Sequence, residues 1–214
     1  MRRFPRTPRG VLVLLGVSAL TVVFAACGGS PTSPKIDPSL LPSMDLMLSE
    51  KTVGRATATH TIIEYSSFEC PYCKDFHDTT FVQLKSTYID PGLVKFVFRD
   101  SPLYAVDLTA AMLARCAGDR YFEAVDTLFA NQSSWAGASD QIRALGDVMR
   151  NFGMSQGVID ACEASTALRN GILQMQQDGR QRWQYSGVPA FIVDDTRLVP
   201  DGFKYLSDFI PYLK

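Results

Sequence analysis

The stretch SSFECPYCKDF, residues 66–76, holds two cysteines, Cys70 and Cys73, separated by a proline and a tyrosine. A Cys-x-x-Cys pair can ligate zinc, attach a haem, close a small structural disulfide or carry out redox chemistry. Haem attachment requires a histidine directly after the second cysteine, and this chain has Lys74 there. The residues around the pair have to distinguish among the other three uses.

A zinc site would need two further ligands close to Cys70 and Cys73. Cys116 and Cys162 are far away in the sequence and belong to no second Cys-x-x-Cys. His77 follows the pair and could approach it on a helix, but a single helical histidine is more often a surface residue. The spacing therefore argues against a metal site and predicts that His77 lies at the surface.

The pair lies where a strand is predicted to pass into a helix. Residues 61–65 form a short β-branched and aromatic run that is typical of a buried strand. After the pair, apolar residues recur at roughly helical spacing until residues 90–92, DPG, end the helix. Cys70 is thus predicted at the amino end of the helix, with Pro71 in the first turn, where a proline loses no intrahelical hydrogen bond.

This position predicts two unequal sulfurs. Unpaired N–H groups and the helix dipole stabilise an anion at the amino end of a helix, which lowers the pKa of Cys70 and makes it a good leaving group. Cys73 lies further into the helix, where it should be more buried and less acidic. A structural disulfide would gain little here, because so small a loop hardly constrains the unfolded chain. The location therefore favours redox chemistry.

Residues 1–27 are typical of an export signal, with four arginines before an almost wholly apolar run that is rather short for a membrane span. The sequence FAAC at residues 24–27 is similar to the lipobox of bacterial lipoproteins, which predicts lipidation of Cys27. Ordinary cleavage after Ala25 is the alternative. Either route predicts a periplasmic or other extracytoplasmic location, where disulfides persist. Lipidation of Cys27 would in addition anchor the protein to a membrane.

The rest of the chain is long enough for one medium domain, or for a domain with an insertion. Residues 28–43 are rich in Pro and Ser and are predicted to form a flexible linker. The formal net charge of −1 does not favour nucleic acid or another polyanionic partner.

Five cysteines are an awkward number for an oxidising compartment. If Cys27 carries a lipid, the remaining four pair most simply as Cys70 with Cys73 and Cys116 with Cys162. The second bridge would close a loop of about 45 residues, for which chain entropy gives roughly 4 kcal/mol of stabilisation. Two buried free thiols are the alternative to that bridge.

Three stretches together resemble the DsbA family of thioredoxin-fold oxidoreductases. IIEYSSFECPYCKDF at residues 62–76 resembles the active-site strand and helix, and KFVFRDSPL at residues 95–103 resembles the next strand and its exit. SGVPAFIV at residues 186–193 resembles the loop whose proline is cis and faces the disulfide. The spacing of Cys116 and Cys162 resembles a DsbA branch with an extra structural disulfide.

Between these stretches, apolar residues repeat at helical spacing, and little of the sequence is typical of strands. We therefore expect an α/β protein with a thioredoxin-like fold and an inserted all-helical subdomain. The thioredoxin-like part is assigned to residues 44–102 and 186–214, and the insertion to residues 103–185. A strand around 197–199 and a last helix at 203–213 are expected near the end.

The resemblance also implies roles for single residues. Glu64 stands in an apolar strand, where a buried carboxylate is costly without a task or a partner. In thioredoxin-like proteins an acid at this position lies beneath the disulfide and helps to move the proton of the buried cysteine. An acid that simply pairs with Lys95 or another base is the alternative.

Substrate binding is assigned to Val188, Pro189, Pro71 and Tyr72. In the family, the cis bond before the proline exposes the preceding backbone to an extended substrate chain. A trans proline that opens an edge strand is the alternative. Tyr72 stands where strong oxidants of the family often carry His, so the resemblance leaves the oxidising strength open.

The resemblance thus implies an exported dithiol oxidase that introduces disulfides into thiol-containing exported polypeptides, without a bound cofactor. It also implies reoxidation by a quinone-linked membrane protein of the DsbB type. A disulfide isomerase or reductase on the same fold is one alternative, although such isomerases usually have Thr before the cis proline. A non-enzymatic chaperone or metal-delivery factor that uses the thiols is the other.

Overall fold

The computed structural model describes residues 38–198 and 205–214, so the expected export signal and Cys27 lie outside the described residues. The sheet has five strands among the described residues: β1 Lys51–Val53, β2 His60–Ser66, β3 Val94–Asp100, β4 Ala190–Val193 and β5 Thr196–Arg197. Their order in the sheet is β1-β3-β2-β4-β5. β2 and β3 are parallel, and the other neighbours are antiparallel.

Most helices lie between β3 and β4. The described helices are α1 Met44–Leu48, α2 Pro71–Asp75, α3 Phe81–Leu84, α4 Ala105–Cys116, α5 Tyr121–Ala130, α6 Gln132–Ala136, α7 Gln141–Phe152, α8 Gln156–Glu163, α9 Thr166–Trp183 and α10 Leu206–Phe209. Two π-helical segments, Phe76–Thr80 and Lys85–Ile89, continue α2 and α3 up to the DPG sequence. The α/β class with an all-helical insertion, α4 to α9, is confirmed.

Strand β2 places alternate side chains on the two faces of the sheet, as a strand must. Ile62 belongs to the main core, together with Phe76 and Phe191, whose ring centroids are 4.6 Å apart. Tyr65 belongs to a smaller cluster on the other face with Tyr185. Glu64 follows Ile62 by two residues and therefore faces the main core.

Helix α9 lies against the second face at very short range. A Cβ atom at Gly179 would be 2.3 Å from the Tyr65 ring, which is much closer than two carbon atoms can pack. Glycine at this position therefore allows the helix to lie directly on the sheet.

A buried ion pair connects the insertion to the sheet. Arg115 of α4 donates from Nε to Asp100 at the end of β3, over 2.5 Å, and from Nη1 to the carbonyl of Met47, over 2.6 Å. Both charged side chains are almost fully buried, and breaking such a pair by removing one partner costs about 3–5 kcal/mol. The insertion, the sheet and the segment around α1 are therefore held together at one point.

The expected bridge between Cys116 and Cys162 is present and joins α4 to α8. A tight turn connects β4 to β5, with positive φ at both Asp194 and Asp195. Aspartate tolerates this region better than most residues, which suits it to a two-residue hairpin loop.

Some details differ from the sequence-based expectations. Strand β1 and helix α1 were not expected, and β5 ends at Arg197. The last helical part is α10 followed by a short 3₁₀ turn, Ile210–Tyr212. At the end of the expected linker, Pro38–Leu40 forms another 3₁₀ turn and Leu41 packs against the core, so these residues belong with the domain. Among the described residues, no helix is long and apolar enough to span a membrane.

Candidate active site

Cys70 and Cys73 lie at the junction of β2 and α2. Cys70 is the N-cap of α2 in an extended conformation, and Pro71 occupies the first turn, as expected from the sequence. Both cysteines are free thiols, with Cys70 5% exposed and Cys73 fully buried. A partner can therefore reach only the first sulfur.

The two sulfurs differ in acidity in the expected direction. A hydrogen bond from the Cys73 thiol, with help from the backbone N–H groups of Cys73 and Tyr72, lowers the pKa of Cys70 to about 7 against the opposing effect of burial. Burial is the main cause that raises the pKa of Cys73 well above 9.0, followed by the hydrogen bond with Cys70 and the charge of Glu64. The neighbouring thiol thus lowers the pKa of Cys70 more than the N–H groups of the helix end do, although the helix end was the cause expected from the sequence.

The loop before Cys70 is held by two residues of the insertion that the sequence did not identify. The buried carboxylate of Asp107 in α4 accepts hydrogen bonds from the Ser67 hydroxyl at 2.6 Å and from the Phe68 N–H at 2.9 Å. Gln132 of α6 donates from Nε2 to the carbonyl oxygens of Phe68 at 2.7 Å and Cys70 at 3.0 Å. The insertion therefore fixes the backbone that presents the reactive sulfur.

Asp107 is itself perturbed by its position. Burial raises its pKa from 3.8 to about 6, although the hydrogen bonds from Ser67, Leu103 and Phe68 oppose this rise. Its negative charge in turn raises the pKa of Cys70 slightly. The only sequence signal for Asp107 was its place in the first turn of a helix, which is also typical of surface carboxylates. Gln132 gave no signal.

Glu64 is fully buried, and its Oε2 lies 2.9 Å from Nε2 of His77. The expectation that His77 lies at the surface is wrong: it is 6% exposed, on the same helical face as the buried residues Cys73 and Phe81. Lys95, the alternative partner of Glu64, instead lies 3.8 Å from Glu50. The base beside Glu64 is a histidine.

The loop before β4 forms the other side of the site. The bond between Val188 and Pro189 is cis, as expected. The Cys70 Sγ lies 3.5 Å from the carbonyl oxygen of Val188, so the backbone of this loop is adjacent to the more accessible of the two sulfurs. Pro71 and Tyr72 are exposed beside it, with Tyr72 55% accessible.

The surface next to the cysteines is apolar. A cavity of about 470 Å³ is lined by Glu69, which directly precedes Cys70, and by Tyr104, Val106 and Ile142 of the insertion. Tyr104 and Ile142 are exposed, at 66% and 44%. The site therefore combines a thiol of lowered pKa, the adjacent backbone of Val188 and a mostly apolar cavity.

Comparison with known proteins gives consistent results. A family model described as Thioredoxin matches residues 48–211. A protein of Rickettsia typhi with the provisional name of protein-disulfide oxidoreductase is 27% identical over 147 residues, which are 68% of this chain and 54% of that protein. This chain thus spans about half the length of that relative.

Two solved structures are similar over most of their length. Alpha-DsbA1 of Wolbachia pipientis has a TM-score of 0.69 at 25% identity, and the match covers 82% of this chain and 92% of that one. Oxidised BdbD of Bacillus subtilis has a TM-score of 0.66 at 19% identity, with 81% and 94% covered, which shows a shared fold.

Proposed function

The chain belongs to the thioredoxin family, in its DsbA-like group, and on this premise we propose that it catalyses thiol–disulfide exchange through Cys70 and Cys73. The proposed direction is oxidation of thiol-containing exported polypeptides. The observation that carries the proposal is the inequality of the two sulfurs, with a stabilised thiolate at Cys70, the more accessible of the two, and a disfavoured thiolate at Cys73.

The exchange proceeds in two steps. A substrate thiolate attacks Sγ of Cys70 in the oxidised pair, the bond between Cys70 and Cys73 breaks, and Cys73 leaves as a thiolate that takes up a proton. A second substrate thiolate then attacks the substrate sulfur of the mixed disulfide and releases Cys70 as a thiolate. The substrate loses two electrons, and the cysteine pair gains them.

The other proposed site residues act around this exchange. An extended substrate chain lies along the backbone of Val188 and Pro189, beside Pro71 and Tyr72. The 3.5 Å separation between the Val188 carbonyl oxygen and the Cys70 sulfur supports this placement. Glu64 supplies the proton that Cys73 needs, which its burial beneath the pair supports.

We further propose that the protein acts outside the cytoplasm, with Cys27 as a lipid anchor, and that a quinone-linked membrane protein of the DsbB type reoxidises it. The export signal and lipobox support the location. The reduced pair must be reoxidised before each new substrate, and an anchor would keep the protein close to a membrane partner.

One observation favours a reductase or isomerase as a second candidate. The pKa of about 7 for Cys70 equals the value of about 7 known for thioredoxin and is far above the value of about 3.5 for DsbA, a strong oxidant. A less stabilised thiolate favours the reduced pair less and so weakens its oxidising power.

The reduction potential of the Cys70–Cys73 pair distinguishes the two candidates. Equilibration with glutathione buffers, followed by mass spectrometry of trapped thiols, should give a value between about −120 and −180 mV for an oxidase. A value near −270 mV, roughly that of thioredoxin, would overturn the oxidase proposal. Cys70→Ser should abolish exchange with a dithiol peptide, and a variant that keeps full function would point to a non-enzymatic binder.

A further inference from the structure

The buried end of the cysteine pair raises the question of how its proton reaches solvent. Cys73 and Glu64 are both fully buried, and Cys73 is hydrogen-bonded to Cys70 on the side where the substrate is proposed to bind. When a substrate occupies that side, access to water there is reduced further. The proton that Cys73 takes up in the proposed exchange therefore needs another route.

His77 is the side chain that contacts Glu64 on its other side. Its Nε2 lies 2.9 Å from Oε2 of Glu64, so one proton can lie on either atom without movement of the two side chains. The imidazole is enclosed by aromatic rings, with the centroid of Phe129 at 4.6 Å and that of Phe81 at 5.0 Å. This packing fixes the orientation of the ring toward the carboxylate.

His77 also lines a cavity of about 590 Å³. The lining is mixed, with Phe81, Val82 and Phe129 beside the carboxylates of Asp78, Asp90 and Asp126. Asp78 pairs with Lys74 and Asp90 with Lys85, whereas Asp126 on α5 has no ion pair among the described residues. The charge of His77 lowers the pKa of Asp126 and so partly offsets the rise caused by burial, which means that the two groups interact. Carboxylates thus face the imidazole from β2 and from α5.

We propose that His77 passes protons between Glu64 and this cavity, so that the buried end of the pair exchanges protons away from the substrate. The inference rests on the proposed thiol–disulfide exchange. When the Cys70–Cys73 bond breaks, the Cys73 thiolate takes a proton from Glu64. Glu64 takes one from Nε2 of His77, and the imidazole regains a proton at Nδ1, which is buried with no hydrogen-bond partner among the described residues, from water that enters from the cavity. No electrons move in this relay, and reoxidation reverses it.

Within this scheme His77 is a positioning residue, because it acts through Glu64 and does not touch the sulfur atoms. Imidazole suits the task, since it gains and loses protons readily near neutral pH. A purely structural role for His77 would require only its hydrogen bond to Glu64. The two roles make different predictions for substitutions that keep or remove that bond.

The test uses His77→Ala and His77→Gln in single-turnover oxidation of a dithiol peptide by the oxidised full chain. The glutamine amide can still donate to Glu64 but cannot carry a proton onward. We expect both variants to slow the exchange by about 100-fold, at the low end of general acid–base effects. Added imidazole should restore the alanine variant, in which it can occupy the vacated space, and should leave the glutamine variant slow.

His60 provides a matched control, because the chain has only two histidines. His60 lies at the start of β2, where its Nδ1 is 2.7 Å from Asp194. His60→Ala should keep the rate of the unchanged protein and should not respond to imidazole. The measurement also separates the relay from the proposed function, since an unchanged protein that fails to oxidise the peptide contradicts the function itself.

Two results would overturn the relay. His77→Gln at the full rate would show that the hydrogen bond alone matters. A folded His77→Ala variant that imidazole does not accelerate would show that no proton passes through this position. If His77→Ala does not fold, the rate of His77→Gln decides.

Discussion

The chain has two pairs of cysteines with opposite properties. Cys116 and Cys162, 46 residues apart, are joined in the helical insertion, whereas Cys70 and Cys73 are free at the start of a helix. Burial does not separate the pairs, since all four residues are at most 5% exposed. The difference lies in the neighbouring groups, because hydrogen-bond donors and buried acids surround the second pair. Reactivity here is set by chemistry around the sulfur more than by its exposure.

Removal of the insertion disulfide should have the largest effect on stability. We expect Cys116→Ala with Cys162→Ala to lower the free energy of unfolding by about 4 kcal/mol, because the loop it closes in the unfolded chain is long. Urea unfolding measures this change. The control is Cys70→Ser with Cys73→Ser, which leaves the insertion disulfide intact. Its free energy of unfolding should fall much less, relative to the unchanged protein with its Cys70–Cys73 pair reduced. If the disulfide-free protein folds but cannot exchange with a dithiol peptide, the two pairs are not independent.

Asp107→Asn should have the next largest effect on the free energy of unfolding, and the size of this effect should depend on pH. The folded-state pKa of about 6 lies above the ordinary value of 3.8. Its contribution to stability is therefore fully present below about pH 4 and is lost as pH rises through about 6. The difference in pKa corresponds to about 3 kcal/mol for this fully buried group. The advantage of the unchanged protein over the variant should thus be larger at about pH 4 than at about pH 7.

Urea unfolding of both proteins at the two pH values tests this expectation. Asp75→Asn controls for the loss of one negative charge, because Asp75 is exposed on the helix that follows Cys70. A stability difference between the unchanged protein and Asp107→Asn that does not vary with pH would contradict the raised pKa.

Cys73→Ala should have the smallest effect, and the quantity that changes is the pKa of Cys70. The hydrogen bond from the Cys73 thiol is the main cause that lowers this pKa, so without it the pKa should rise from about 7 toward 9.0. The rate of alkylation by iodoacetamide as a function of pH reports this value. Because the pKa is lowered in the folded protein, the reduced form gains stability above the unfolded value and loses it as pH falls through about 7.

Cys73→Ser is the matched variant, since a hydroxyl can replace the thiol as donor and should keep part of the lowered pKa. If the alanine and serine variants both titrate near the pKa of the unchanged protein, the helix end and not the neighbouring thiol stabilises Cys70. That result would restore the explanation that the sequence alone suggested.

Local sequence rules were sufficient for the elements that carry the cysteines. The β-branched run before Cys70, the proline after it and the DPG sequence each act over a few residues, so the strand, the helix start and the helix end could be predicted. The cis bond before Pro189 was expected only through the family resemblance. Its place beside Cys70 depends on how distant parts of the chain meet.

Two of the residues that sequence reasoning missed act across long distances in the chain. Gln132 reaches the carbonyl of Cys70 from α6, 62 residues away, and Asp107 reaches Phe68 across 39 residues. No local pattern encodes these two contacts.

His77 differs, because it lies on the same helical face as the buried residues Cys73 and Phe81, four positions away on either side. Helical spacing could therefore have predicted its burial, and the usual exposure of single histidines led to the wrong assignment.

The hydrogen bonds between the loop before Cys70 and helices α4 and α6 limit how the protein can be separated into independent parts. A thioredoxin-like core without its insertion would lose both Asp107 and Gln132, and the N–H and carbonyl groups of Phe68 would lose their protein partners. The two parts are therefore not modules that can be exchanged between relatives one at a time. A chimera that replaces the insertion must also transplant the loop that it supports.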